Sequence, residues 1–179
     1  TLTSYYKYPA IASFLLKRKV VWFVRENPIE KRCVKLKFFI NLIAEKVITV
    51  SHDTRRDLYY VKNELITTIH NGVDLNYFNS NEYYKFPEDI PYKPYILTIS
   101  SFEARKGIID SIKAYSISNL RKSHNFLIIG EDRSSSKQYF NEMTSLINTL
   151  DLLDKVHILG PKEDVRPFIA NAYFIVLVS

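Results

Sequence analysis

Apolar and polar positions alternate along the first half of the chain in two ways, one typical of helices and one typical of buried strands. Residues 4–17 carry apolar side chains at helical spacing, and a second helical pattern fills 28–46. Ser51 is placed to cap a third helix that begins at His52. Continuous apolar runs predict strands at 20–24, 46–50 and 65–69. The residues predicted to line the buried face of the first helix are Tyr8, Ile11, Ala12, Leu15 and Leu16.

The same alternation continues in the second half of the chain. Four apolar runs predict strands, the last of them buried in a parallel sheet: 95–99, 125–129, 155–159 and 173–178. Helical patterns lie between them, at 107–120, 136–150 and 163–172. Strands that alternate with helices in this way indicate right-handed βαβ units. The predicted fold class is therefore α/β, with two Rossmann-like parallel-sheet domains.

The boundary between the two halves is marked by an Asn-Gly pair and by a stretch with prolines. Asn71 and Gly72 predict a tight turn because both residues tolerate a positive φ, yet no matching strand follows to complete a hairpin. Residues 79–94 carry three prolines and no apolar period, which is typical of a linker. We therefore predict a first domain at 1–78, an interdomain linker at 79–94 and a second domain at 95–179.

Length and composition narrow the class of protein. A chain of 179 residues, 46% of them hydrophobic, is long enough for one good core or two small ones. No apolar run is long enough to cross a bilayer, and no signal peptide is predicted from the first residues given. The lone Cys33 excludes an internal disulfide and fits a reducing compartment, which predicts a cytoplasmic protein.

Charged residues and histidines exclude two further classes of partner. The net charge is +6, but the basic residues are scattered and no recognition motif accompanies them, so nucleic acid is not predicted as a partner. The four histidines lack the spacing of a metal site, and no metal is predicted. One basic cluster fits either an anionic membrane surface or an ordinary solvated helix: Lys17, Arg18, Lys19, Lys31, Arg32, Lys35 and Lys37.

The loop SSFEARKG, at 100–107, has the richest chemistry in the chain. Ligands of doubly wound proteins bind beyond the carboxyl ends of the strands, and this loop leads from such an end into a helix. Lys106 lies at the helix entrance, where backbone N–H groups are unpaired. A helix dipole, free N–H groups and a cation together hold a diphosphate in many proteins. A solvated lysine at a helix start is the alternative that spacing alone leaves open.

Several segments, taken in order, resemble the retaining glycosyltransferases of family 4, which have the GT-B fold. The segments are VITVSHDTRRDL, LITTIHNGVDLNYF, YILTISSFEARKGIIDSIKAY, NFLIIGED and DKVHILGPKEDVRPFIANAYFIVLVS. The resemblance extends from about residue 20 to the last residue. It implies that the turn formed by Asn71, Gly72 and Asp74 ends the first domain, where the chain crosses to the domain that binds the nucleotide sugar.

The resemblance also implies a reaction. A nucleotide-diphosphate sugar is expected to bind the second domain and to pass its sugar, as in hexosyltransferases, to a hydroxyl of a sugar or lipid-linked acceptor with retention. Neither a cofactor nor a metal is expected, so fixed cations and N–H groups must meet the charge of the departing diphosphate. The expected pathways are polysaccharide, glycolipid or cell-surface glycan synthesis, in the cytoplasm or at the inner face of the membrane.

Donor-binding roles follow where this sequence matches the motifs of the family. Lys106 and Gly107 match the K-G step that grips the diphosphate. Gly160 matches the loop that frames the base, and Gly130 is expected to let the chain pass close to the ligand. Ser101 stands five residues before Lys106, where many members carry an arginine as a second clamp on the diphosphate, and serine cannot supply that charge.

Two further residues near these motifs have expected positions. Arg105, beside the matched lysine, is expected to point along the helix entrance. Glu26 is a catalytic candidate because it follows the strand at 20–24, where many members place a histidine or an acidic residue that faces the sugar.

The departures from the family pattern leave two alternatives open. One is a non-catalytic GT-B relative that acts as a binding or scaffolding module, and the other is a GT-B sugar-nucleotide epimerase or phosphorylase. The chain begins at Thr1 and ends directly after an apolar run, which predicts that it is a piece of a longer protein with both domains incomplete. This piece is expected to be inactive by itself.

Overall fold

The structure is a computed structural model that describes residues 7–25, 40–79, 84–88, 90 and 92–178. Contacts within the chain form two compact units, Thr1–Asp74 and Leu75–Ser179. Each unit contains one three-stranded sheet in which all pairs of strands are parallel. This arrangement confirms the predicted α/β class.

The first unit is built on the strand order β1-β2-β3. Its helices are α1, at Lys7–Leu15, and α2, at His52–Asp57, and its strands are β1 at Val20–Val24, β2 at Ala44–Thr49 and β3 at Ile66–Thr68. A short 3-10 helix, Asn63–Leu65, precedes β3. The Ser51 hydroxyl accepts a hydrogen bond from the Thr54 N–H at 3.0 Å, so the predicted cap of α2 is confirmed.

The predicted buried face of α1 is wrong. Tyr8, Leu15 and Leu16 are 74%, 73% and 71% exposed, whereas Ala10 is 1% exposed and belongs to the core of the unit. The helix approaches the sheet through this small side chain, so its larger neighbours project outward. Lys17, at a φ of 51°, then turns the chain out of the helix.

The boundary between the second helical pattern and β2 also differs from the prediction. Residues 40–43 are helical, and the strand begins at Ala44, two positions before the predicted start. Pairing with the neighbouring strand sets this start, since Ala44 aligns with Val20. The rest of the predicted helix, at 28–39, lies outside the described residues.

The second unit has the strand order β4-β5-β6. Its strands are β4 at Tyr95–Ile99, β5 at Asn125–Ile129 and β6 at Val156–Gly160, and its helices are α3 at Ile108–Ile117, α4 at Gln138–Thr149 and α5 at Arg166–Asn171. Two short 3-10 helices lie at Ala104–Lys106 and Asn119–Lys122. Central β5 is buried along Phe126–Ile129 because helices cover both faces of a parallel sheet.

The apolar run 173–178 lies beside β4 but is not the buried strand that the sequence predicts. Tyr173 N–H donates to the Tyr95 carbonyl at 2.8 Å, and Val176 N–H donates to the Leu97 carbonyl at 2.8 Å, so the two segments run in parallel. Tyr173 is nevertheless 65% exposed and Leu177 69% exposed. These side chains have no covering layer within the described part of the chain.

The stretch predicted as a linker packs against the second unit where it is described. The Phe86 ring stacks on the Tyr95 ring with 5.5 Å between centroids and meets the Phe168 ring edge-on. Ile90 is 9% exposed and belongs to the same cluster. The described residues among 79–94 therefore belong to the unit that begins at Leu75.

The Asn-Gly pair does not form the expected tight turn. Asn71 and Gly72 lie in an exposed stretch, 69–74, that contains neither helix, strand nor turn, and neither has a positive φ. The turn lies a few positions later, at 75–78. It begins directly after Asp74, the last residue of the first unit.

Candidate functional site

The loops that follow β4, β5 and β6 begin side by side at the carboxyl edge of the second sheet. The Ser100 N–H donates to the Ile129 carbonyl at 3.0 Å, and the Gly130 N–H donates to the Gly160 carbonyl at 3.2 Å. Backbone hydrogen bonds thus hold the starts of all three loops together. This is the edge at which doubly wound folds bind ligands.

Gly130 allows two of these loops to approach each other closely. Its φ is +148°, and an added Cβ would lie 1.9 Å from the Ser100 carbonyl oxygen. The close neighbour of Gly130 is therefore the protein's own backbone. Gly160 also has a positive φ, +69°, but nothing lies within 4 Å of an added Cβ there.

Lys106 lies at the start of α3, as the sequence predicts. It ends the 3-10 turn Ala104–Lys106, and Gly107 then adopts a left-handed φ of 59° from which α3 begins at Ile108. The Lys106 side chain is half-buried, and its ammonium group makes no hydrogen bond or ion pair with any described residue. A half-buried lysine at a helix start, with no direct hydrogen bond or ion pair to a described residue, is suited to an anionic ligand.

Ser101, Glu103 and Arg105 form a chain of contacts in the same loop. The Ser101 hydroxyl donates to Glu103 Oε1 at 2.7 Å, and Arg105 Nε donates to Glu103 Oε2 at 2.7 Å. The hydrogen bonds from Ser101 and Arg105, followed by the charges of Arg105 and Lys106, hold the pKa of the Glu103 carboxyl below its usual range. Arg105 therefore folds back onto Glu103, and its expected direction along the helix entrance is wrong.

A cavity of about 600 Å³ opens between the loops after β4 and β5. Phe102, Glu103 and Ala104 line one side, and the other side is formed by the loop and first turn that lead into α4. Asp132, only 4% exposed, lies in this wall. The cavity has the size of many small-molecule sites and lies at the edge expected for a ligand.

Asp132 organises the loop after β5. Its carboxylate accepts hydrogen bonds from the hydroxyl and N–H of Ser134 and from the N–H of Phe140, while Lys137 Nζ donates to its backbone carbonyl. The hydroxyl of Ser134, followed by these N–H groups and the charge of Lys137, lowers the pKa of this carboxyl. Sequence reasoning missed this residue, although the signal was an Asp followed two positions later by Ser, typical of an Asx turn.

In the first unit, the structure brings together two histidines that sequence spacing keeps apart. His52 follows β2 and His70 follows β3, and their rings meet edge to face with 5.2 Å between centroids. The catalytic candidate Glu26 lies outside the described residues. No group of three or more metal-ligating side chains occurs among the residues that are described.

Comparison with known proteins decides the family. The family model for glycosyl transferases group 1 matches residues 81–179, which is more than half of the chain. The chain belongs to the glycosyl transferases group 1. No curated protein matches this chain.

Solved structures share the fold of this group 1 chain at low sequence identity. HepE from Anabaena, in complex with UDP and glucose, is 18% identical with a TM-score of 0.74, over 93% of this chain and 48% of HepE. A glycosyltransferase from Rickettsia africae is 20% identical with a TM-score of 0.72, over 97% and 54% of the two chains. Sucrose-phosphate synthase from Thermosynechococcus elongatus is 18% identical with a TM-score of 0.67, over 94% and 47%.

These likenesses confirm the predicted GT-B fold. The chain spans about half the length of the solved relatives that it matches. Within the described residues, no helix is both long and apolar enough to cross a membrane.

Proposed function

We propose that this chain is part of an enzyme that transfers a sugar from a nucleotide-diphosphate sugar to an acceptor hydroxyl, with retention of configuration. The acceptor is a sugar or a lipid-linked sugar in the synthesis of a polysaccharide, glycolipid or cell-surface glycan. Membership of the glycosyl transferases group 1 supports the transfer itself. The HepE structures, which contain UDP or UDP-glucose, support a nucleotide-sugar donor.

The observation that carries the proposal is the position of Lys106. Its ammonium group lies at the start of α3, at the carboxyl edge of the second sheet, and makes no hydrogen bond or direct ion pair with any described residue, although the Glu103 carboxylate lies near enough for its pKa to be lowered by this charge. A diphosphate bound there would receive this cation together with N–H groups of the first turn of α3 other than that of Ile109, which donates to the Tyr139 hydroxyl at 3.2 Å. Such fixed positive charge favours the departure of a nucleoside diphosphate, because it stabilises the charge that develops in the transition state.

A titration of the full-length protein with UDP, GDP and ADP tests the proposal. Lys106→Ala should weaken binding of the preferred diphosphate by about 1.5–3 kcal/mol, the range for a charge-assisted hydrogen bond. Binding of the corresponding nucleoside should hardly change. Lys122→Ala is the matched control, since this exposed lysine precedes β5 at the amino edge of the sheet. Equal losses for diphosphate and nucleoside would contradict the role given to Lys106.

Metal independence is part of the same proposal. The charge of the leaving group is met by Lys106 and by helix N–H groups, so we expect transfer by the full-length protein to persist after exhaustive chelation. Transfer that disappears on chelation and returns with magnesium or manganese would contradict this expectation.

We also propose a cytoplasmic enzyme that contacts the anionic inner face of the membrane. Phe14, Leu15 and Leu16 are 50%, 73% and 71% exposed, and the basic residues Lys17 and Arg18 follow them directly. Exposed apolar side chains next to cations favour anionic lipid surfaces. The full-length protein should sediment with phosphatidylglycerol vesicles and remain in solution with phosphatidylcholine vesicles. Equal behaviour with both would count against the contact.

One observation favours a second function, a non-catalytic binding module. Ser101 stands where a second cation is expected, and the Glu103 carboxylate that it contacts would repel a diphosphate. A full-length protein that binds none of the three nucleoside diphosphates would favour this alternative over the transferase.

A further inference from the structure

Arg166, the first residue after the loop that follows β6, makes several side-chain contacts. It begins α5, and its side chain is 22% exposed. Its Nε donates to Asp164 Oδ1 at 2.9 Å and its Nη2 to Oδ2 at 2.8 Å, a paired geometry in which both carboxylate oxygens are used. The Arg166 backbone N–H donates to the same Oδ1 at 2.9 Å. These three hydrogen bonds hold the Arg166 side chain and Asp164, near the end of the loop, in one fixed arrangement.

The guanidinium group of Arg166 also contacts Tyr77 and Tyr84, which are more than 80 positions away in the sequence. Nη1 donates to the Tyr77 carbonyl at 3.1 Å, and the guanidinium carbon lies 4.0 Å from the centroid of the Tyr77 ring and 5.1 Å from that of Tyr84. The Tyr84 hydroxyl donates to the same Tyr77 carbonyl at 3.2 Å. Arginine stacks on aromatic faces while it donates hydrogen bonds in the plane of the guanidinium group, so one side chain makes both kinds of contact.

This network joins two places that matter for the proposed reaction. Asp164 lies in the loop 161–165, which follows β6 at the edge where the candidate site lies. Tyr77 lies in the turn 75–78, directly after the point at which the contacts of the chain divide into two units. The hydrogen bonds from the Arg166 side chain and backbone lower the pKa of the Asp164 carboxyl.

We propose that Arg166 is a positioning residue for donor binding: it holds the loop 161–165 in its binding conformation by linking Asp164 to the boundary segment, which consists of residues 75–79 and Tyr84. The inference rests on the proposed function, because it assigns this loop to the nucleoside half of the donor. It also separates two roles, since Lys106 grips the diphosphate and Arg166 orders the loop beside the base.

The experiment compares Arg166→Lys with the unmodified full-length protein. Lysine keeps the charge but lacks the planar group that pairs with a carboxylate and stacks on two rings. Arg121→Lys is the matched control, because Arg121 also donates to a backbone carbonyl, that of Ser116 at 3.0 Å, but lies at the amino edge of the sheet. Amide hydrogen exchange is measured without ligand, and nucleoside and pyrophosphate affinities are measured by calorimetry.

Arg166→Lys should speed exchange in both 75–79 and 161–165, where the control leaves it unchanged. It should weaken binding of the nucleoside by roughly five- to thirty-fold, the factor that one or two lost interactions produce, and leave pyrophosphate binding unchanged. Lys106→Ala should give the opposite pattern, a loss for pyrophosphate alone.

Three results would overturn the inference. Faster exchange confined to 75–79 would show that Arg166 fastens the boundary segment without ordering the loop. Unchanged nucleoside affinity despite faster exchange in 161–165 would show that the loop does not position the nucleoside. If the unmodified protein binds no nucleoside, nucleoside diphosphate or pyrophosphate at all, the proposed function fails first, and the positioning role that rests on it fails with it.

Discussion

Tyr95 and Tyr115 place their hydroxyl groups inside the second unit. The Tyr115 hydroxyl donates to the His124 carbonyl at 2.6 Å, and the Tyr95 hydroxyl donates to the Phe168 carbonyl at 2.8 Å. Burial raises the pKa of Tyr115 to about 12 and also raises the pKa of Tyr95. Desolvation disfavours the phenolate, so the folded state of this unit is most stable while both hydroxyl groups stay protonated.

The buried hydroxyl of Tyr115 predicts a loss of stability at high pH. A free tyrosine titrates near pH 10, so between about pH 10 and pH 12 the unfolded chain releases a proton that the folded chain keeps. The free energy of unfolding should therefore be intact below pH 10 and fall as the pH rises through that window. Tyr115→Phe should lower stability at pH 7 by about 1 kcal/mol, through the lost hydrogen bond, and make the alkaline decline less steep.

Thermal unfolding of the full-length protein at a series of alkaline pH values measures this effect. Tyr59→Phe is the control, since Tyr59 is 86% exposed. An alkaline decline that is equally steep in the protein with and without Tyr115 would show that this hydroxyl does not contribute to it.

At the scale of elements, the carboxyl edge of the second sheet depends on how closely its loops pack. Gly130 lies so near Ser100 that a side chain would overlap a backbone carbonyl, whereas a side chain at Gly160 would meet open space. Both glycines have a positive φ. Substitutions at the two glycines therefore distinguish the free-energy cost of a positive φ from the additional cost of a collision between two loops.

Gly130→Ala and Gly160→Ala should differ in their effect on stability. Alanine at Gly160 meets the backbone penalty alone, about 1–2 kcal/mol. Alanine at Gly130 must also displace the loop after β4, so we expect a loss of roughly 3 kcal/mol or more, in the range of severe core and backbone defects. Urea unfolding of the full-length protein provides the comparison, and equal losses at the two positions would disprove the close approach.

The sequence predicts elements well where a single local pattern determines them. β1, β4 and β5 have the predicted bounds, since each is a largely apolar run. β4 and β5 are buried along most of their length, as expected in a parallel sheet that is covered on both faces, whereas β1 leaves Val21 exposed. The 173–178 run has the same composition but is exposed, because burial depends on what covers a segment and not on its own pattern.

Contacts between distant residues escape a sequence analysis of this kind. The Arg166 guanidinium and the Tyr77 carbonyl lie 89 positions apart, and no local period links them. The position of Lys106 was predicted because a strand end and a helix start are both local signals. The sequence analysis does not predict the contact of Arg105 with Glu103. The arginine side chain turns toward the carboxylate two positions before it and not along the helix entrance.

At the scale of the whole molecule, this chain corresponds to about half the length of its solved relatives. This chain covers 48% of HepE and 54% of the Rickettsia glycosyltransferase. Both units have their own sheet and core, yet the second presents apolar side chains at 173–178 to solvent. Exposed apolar strands of this kind associate with one another.

Residues 1–179 expressed alone should therefore self-associate, bind a nucleoside diphosphate and transfer no sugar. Under the proposed function, Lys106 and the loops at the carboxyl edge of the second sheet would supply the diphosphate contact, but transfer also requires that the anomeric carbon and the acceptor hydroxyl be held in register. Such orientation accounts for several kcal/mol of the barrier, so its loss removes turnover even where binding persists.

The comparison is between 1–179 and the full-length protein, by light scattering, nucleotide titration and a transfer assay with the preferred donor. Leu177→Lys within 1–179 is the control for association, because it places a charge on the exposed run and should raise the monomer fraction without restoring transfer. A monodisperse 1–179 with measurable transfer would show that the described loops already orient the sugar. The expectation that residues 1–179 bind the diphosphate but do not orient the sugar would then be wrong.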